Sequence, residues 1–315
     1  MPDSNAKVNE YDEFGYFAEN ASEFGIPYEQ APTVRRSHAT MADGRDISAL
    51  LWGDGSPELV LLHGGAQNAH TWDTVCLALD RPLVAIDMPG HGHSGPPAAG
   101  AANVERNAAD IGLAIEQLAP DADVVVGMSL GGLTTLALSA AFPSLFTTMV
   151  LVDITPGVNQ QKAEHIRNFV NGPTSFPSFE DLLERTMEFN PTRSESSLRR
   201  GILHNAQQQE DGSWVWRHAR HRVFADSASS DTAHGERDYL WLWDALEGHG
   251  GPLALARGMG EQSVVDDDDV TELLRRRPDA QVENFTDAGH SVQGDMPLEL
   301  AQFVSRHLEN RGLRE

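Results

Sequence analysis

The chain has 315 residues, 40% of them hydrophobic, enough to bury one sizeable core without disulfides or structural metals. The single cysteine, Cys76, rules out an internal disulfide, and no apolar run approaches the roughly 20 residues that cross a bilayer. Forty-seven Asp and Glu against 23 Lys and Arg give a net charge of −24, which repels nucleic acid and anionic lipid. The opening stretch MPDSNAKVNEYDEFGYF has neither the basic nor the apolar region of a signal peptide, so a cytoplasmic protein acting on a small molecule is expected.

Residues 1–31 form an acidic arm with seven acids, one lysine and several aromatics. Such an arm is expected to pack on a domain surface, with a homo-oligomer contact as the alternative. TVRRSHAT and ISALLWG then read as two strands around the turn ADGR, and ELVLL (58–62) as a short buried strand. Further apolar runs follow at 82–87, 123–128, 148–154, 252–258 and 280–285, each the kind buried on both faces of a parallel sheet. Helical patterns lie between them, among them VERNAADIGLAIEQL and PLELAQFVSRHL, which gives a doubly wound α/β rhythm. That rhythm breaks at 157–251, a stretch too long for a loop, with its own helical patterns and a hairpin pattern at DGSWVWRH. We read it as an inserted lid, with the core at 32–156 and 252–315. The acidic run Asp266–Asp269 fits the positive end of a helix better than a metal site.

The run VVVGMSLGGL (124–133) sets Ser129 between Gly127 and Gly131 at the end of a buried strand and the start of a helix. In that setting a sharp turn lifts a hydroxyl above the sheet edge, and the glycines keep Cβ atoms out of a crowded turn. Ser129 is therefore the candidate nucleophile. A serine hydroxyl needs a base to take its proton. His290, in NFTDAGHSVQGD after the last strand, lies at the same sheet edge and is the candidate; His63, His91 and His93 stand in loops before the serine. His91 and His93 also invite a zinc reading, but the further ligands that would close such a site are missing, so no metal is expected. The glycine turn after ELVLL leaves the amide of Gly65 free, and the amide of Leu130 opens the helix after Ser129. These two would form an oxyanion pocket.

The motifs LLHGGAQNAHTW, AIDMPGHGHSG, GMSLGG, LVDITPG and DAGHSVQGD, in this order over about residues 33–310, resemble those of the α/β-hydrolase superfamily. The resemblance implies an α/β-hydrolase fold, a mostly parallel sheet flanked by helices with a lid, and a Ser-His-acid triad that needs no cofactor. It implies two possible acids. Asp153 stands 24 residues past Ser129 at the end of a strand, and is preferred; Glu261, three residues after Gly258, is the alternative. A serine in the place of an aspartate argues against epoxide hydrolase and haloalkane dehalogenase chemistry. The expected activity is cleavage of a carboxylic ester or lactone through an acyl-enzyme, with a mild resemblance to the lactonases that open zearalenone, a large aromatic lactone. A C–C bond hydrolase of aromatic ring-cleavage products and a non-catalytic ligand-binding protein on the same scaffold are the alternatives. The lid's aromatics suggest an apolar or aromatic substrate, with Trp214 and Trp216, two apart on one strand face, as its candidate contacts.

Overall fold

A computed structural model of the protein describes residues 11–98, 103–158, 161–218 and 239–309, so the first ten residues of the acidic arm lie outside it. The described arm carries helix α1 (Phe17–Phe24), whose Phe17 is buried against Trp52 with ring centroids 4.9 Å apart. Strands β1 (Val34–Thr40), β2 (Asp46–Trp52), β3 (Leu59–Leu62), β4 (Leu83–Ile86), β5 (Val124–Met128) and β6 (Thr148–Val152) follow. They alternate with helices α2 (Asp73–Leu79), α3 (Val104–Leu118) and α4 (Leu130–Ala141). After the insertion come β10 (Leu253–Gly258) and β11 (Gln281–Phe285), with α9 (Asp267–Arg276) between them and α10 (Val292–Asp295) and α11 (Pro297–Glu309) at the end.

All eight core strands join one sheet in the order β1-β2-β4-β3-β5-β6-β10-β11. The β1–β2 and β2–β4 pairs are antiparallel and the rest are parallel. Every residue of β3, β4, β5 and β6 is buried, which explains their unbroken apolar runs: helices cover both faces. One core cluster packs α3, α4, α9 and the helix at Leu242–Gly248 on one face. The other packs α1, α2, α10 and α11 on the opposite face. The acidic run starts α9 as a helix cap. Asp266 and Asp269 form a capping box, and Lys162 bridges both carboxylates.

Between β6 and β10 the chain builds α5 (Glu164–Val170), α6 (Phe179–Phe189), α7 (Glu195–Asn205) and α8 (Leu242–Gly248). It also builds a small antiparallel sheet of β7 (Ser175–Phe176), β8 (Ala206–Gln208) and β9 (Trp214–Trp216), in the order β7-β9-β8. Phe176, Leu182, Leu198, Ile202, Trp214 and Trp216 close a core of this segment's own. Among the described residues, no helix is long and apolar enough to cross a membrane.

Candidate active site

A parallel sheet gathers the loops after its strands at one edge, the usual place for a site in α/β folds. Here that edge carries the turn after β3, Ser129 after β5, Asp153 after β6 and the loop after β11 that holds His290. Ser129 occupies a backbone conformation rare for a residue with a side chain, φ 51° and ψ −116°. Holding it costs on the order of 1–3 kcal/mol, which the surrounding packing must supply. Two glycines permit this turn. A Cβ on Gly131 would overlap the Leu62 carbonyl, and one on Gly127 would lie 2.7 Å from the Gly131 carbonyl.

His290 Nδ1 donates to Asp153 Oδ2 at 2.9 Å. Asp153 is fully buried and has three more donors: the Gly258 amide at 2.9 Å, the Ser263 hydroxyl at 2.6 Å and the Val264 amide at 3.1 Å. Four hydrogen bonds to one buried carboxylate satisfy it fully and fix the imidazole plane against it. Glu261 is exposed at the surface. The strand end and the spacing pointed to Asp153, but nothing in the sequence pointed to Ser263, whose contact comes from a loop 110 residues away.

His290 Nε2 is buried with no hydrogen-bond partner among the described residues. His290 lines, with Ser129, a chamber of about 90 Å³. Gly64, Gly65, Gln67 and Met128 form the sheet side, and His165, Ile166, Phe169, Val170 and Phe189 close the side built by the inserted segment. The Gly65 backbone faces open space, with nothing within 4 Å of a Cβ there, and the Leu130 amide, first in α4, has no acceptor within its helix. His63 holds the turn before Gly65. Its Nδ1 donates to the Gly64 carbonyl at 2.7 Å and its Nε2 accepts from the Met88 amide at 2.9 Å. Burial, helped by nearby His91, pushes its pKa down to about 3, so it stays neutral as both contacts require.

The two tryptophans sit differently from the expectation. They do share one face of β9, but that face turns into the inserted segment's own core: Trp214 packs on Phe179 at 5.1 Å and does not line the chamber. Trp216, edge-on to Phe169, reaches a neighbouring polar chamber rather than the one beside Ser129. Alternation along a strand says which side chains share a face, not where that face looks. Among the described residues, Phe169 and Phe189 are the phenylalanines that reach the chamber of Ser129.

His70, Asp73 and His204 bring ligand atoms within 4.8 Å of one another. The two imidazoles are stacked in near-parallel planes, 3.8 Å apart and 10° off, so they cannot both aim a lone pair in plane at one ion. Instead His70 Nδ1 donates to Asp73 at 2.9 Å. Burial alone would lower the His70 pKa, but Asp73 and the hydrogen bond to Glu13 outweigh it and raise it to about 9. This group ties the arm to the core: Glu13 also pairs with Arg36, and Tyr11 bonds His204 Nδ1 at 2.8 Å.

Residues 59–303 match the alpha/beta hydrolase family. Esterase Rv0045c of Mycobacterium tuberculosis is 39% identical over 315 aligned residues, covering 98% of this chain and 99% of the relative. A solved structure of that esterase superposes with a TM-score of 0.80 at 40% identity, covering 95% of this chain and 99% of that one. The sn-1-specific diacylglycerol lipase ABHD11 of Mus musculus is 26% identical, covering 82% of this chain and 83% of the lipase. The fold, the turn at Ser129 and these full-length likenesses agree: the chain belongs to the α/β hydrolase family, and within it to the carboxylic ester hydrolases.

Proposed function

We propose that the protein cleaves compact carboxylic esters through an acyl-enzyme on Ser129, with His290 as general base and acid and Asp153 as the residue that orients it. The observation that carries this reading is the joint placement of Ser129 and His290 in the lining of one chamber, with His290 Nδ1 anchored on buried Asp153 and its Nε2 left without a partner among the described residues. Ser129 Oγ adds to the ester carbonyl as its proton passes to His290 Nε2. The amides of Gly65 and Leu130 receive the oxyanion. Collapse expels the alcohol, which takes the proton from His290, and water then frees the acid by the same steps in reverse. A small lactone would open identically to a hydroxy acid.

The chamber's size, about 90 Å³, supports a short acyl or alkoxy group over an aromatic macrolactone such as zearalenone. Its apolar residues Ile166, Phe169 and Phe189 would hold that group while the inserted segment covers the site. The test is a chain-length series of p-nitrophenyl esters with wild type and Ser129→Ala, with zearalenone alongside. We expect hydrolysis that is fastest for acyl chains of two to about six carbons and falls by about four to six orders of magnitude in the variant. Turnover that survives Ser129→Ala, or turnover of zearalenone and none of the short esters, would overturn the proposal.

A further inference from the structure

A second chamber, about 150 Å³, adjoins the one beside Ser129 and shares Ala66, Gln67, Phe169 and Asn190 with it. Its walls come from the arm, the turn after β3, the inserted α7 and α10. Five residues that line it carry buried polar atoms with no hydrogen-bond partner among the described residues: Asp73 Oδ1, Arg193 Nε, His204 Nε2, Asn205 Oδ1 and Gln293 Oε1. Buried polar atoms are almost always satisfied in folded proteins, so five orphans around one cavity ask for a common partner.

The chemistry of these atoms narrows that partner. Asn205 Nδ2 is engaged by the Ala66 carbonyl, and Gln293 Nε2 by Gln67 and Thr71, which leaves the amide oxygens of these two lining residues as unmatched acceptors. With Asp73 Oδ1 they make three acceptors, against one N–H donor on Arg193 and one ring nitrogen on His204. An apolar group would leave all five unsatisfied. A carboxylate could meet the Arg193 guanidinium, which among the described residues bonds only the Ser197 hydroxyl, but it would also face Asp73 and the two amide oxygens; the other guanidinium in the lining, Arg200, is paired with Glu23. Hydroxyl groups suit the set, because each donates one hydrogen bond and can accept another.

We propose that this chamber holds a polyhydroxylated part of the substrate, so that the protein selects esters carrying two or more hydroxyls over alkyl esters of the same size. The inference rests on the proposed reaction at Ser129, whose chamber it extends. A site built to hydrogen-bond hydroxyls rejects an analogue that lacks them, since its own polar atoms are then left bare.

The experiment measures kcat/KM by pH-stat for two matched pairs: 2,3-dihydroxypropyl butanoate against propyl butanoate, and methyl 2,3-dihydroxybutanoate against methyl butanoate. We expect the hydroxylated member to win by at least about tenfold in one pair, which also tells whether the alcohol or the acyl side enters the chamber. Asn205→Leu and Gln293→Met should each bring that ratio close to one. Equal rates within both pairs for wild type, as a merely water-filled chamber would give, overturn the proposal, and so does a preference that both variants retain. Should a variant fail to fold, the wild-type ratios and the other variant still decide. Ser129→Ala, run on the same four esters, keeps the two readings apart: activity surviving in it would sink the catalytic assignment, whereas a ratio of one with activity lost sinks only this inference.

Discussion

The site is enclosed by two walls that are built differently. On the sheet side, position is set by backbone. Ser129 is held in a strained turn whose glycines cannot carry a Cβ, and Asp153 receives four hydrogen bonds. On the other side, the inserted segment contributes side chains from a small core of its own, with the arm packed beside it on the sheet's core, and several of the segment's polar atoms remain unmatched. The first wall has one arrangement available to it. The second can change side chains without moving the strand ends, which is how one scaffold keeps its chemistry while its selectivity drifts.

The largest expected effect tests whether the sheet wall alone orients His290. Asp153→Asn should lower kcat by about 10⁴ with little change in KM, because the amide presents the wrong hydrogen-bonding pattern to Nδ1. Glu261→Gln should stay within about twofold in the same steady-state assay. A large loss in the Glu261 variant and none in the Asp153 variant would reverse the assignment.

One substitution made on both walls should have opposite signs. Gly131→Ala places a Cβ into the Leu62 carbonyl and should destabilise the protein by about 3 kcal/mol or more in urea unfolding. Gly201 lies within α7 of the inserted segment, with nothing within 4 Å of a Cβ. Gly201→Ala should therefore be neutral or stabilise by up to about 1 kcal/mol, since alanine loses less backbone entropy in a helix. Equal losses at both positions would mean that the two walls are equally constrained.

The same contrast explains how much could be read in advance. Strands buried on both faces announce themselves as apolar runs, and all eight expected strands join the sheet. However, β11 at 281–285, expected to be buried on both faces, is an edge strand with only Phe285 buried, and edge strand β1 is likewise mostly open. Ser129 and His290 follow from their places at strand ends. The acid was open between Asp153 and Glu261 because both stand just after strands, and spacing does not say which carboxylate is buried. The structure puts Asp153 beneath Gly258, Ser263 and Val264 and leaves Glu261 at the surface. Trp214 and Trp216 were legible as a shared face but not as part of a local core. The polar chamber had no local signature, since Asp73, Arg193, His204 and Gln293 meet only through the tertiary fold.

The smallest expected effect concerns pH, and it separates the walls by titration. In the arm contact, the His70 pKa is raised from 6.5 to about 9, so its contribution to stability is fully present below 6.5 and is lost as pH rises through about 9. At Glu13, burial raises the carboxyl, but hydrogen bonds from His70 and Arg36 outweigh it and hold the pKa at about 2; that contribution is present above 4.5 and lost as pH falls toward 2. The arm contact should thus be strongest between about pH 4.5 and 6.5. Burial raises the Asp73 carboxyl as well, so the pair is worth less than the His70 shift alone would indicate, about 1–2 kcal/mol. Thermal melts should show Tm falling by a few degrees between pH 6.5 and 9.5, and His70→Gln should flatten that slope. A slope as steep in His70→Gln as in wild type would move the alkaline loss away from the arm and onto groups elsewhere in the fold.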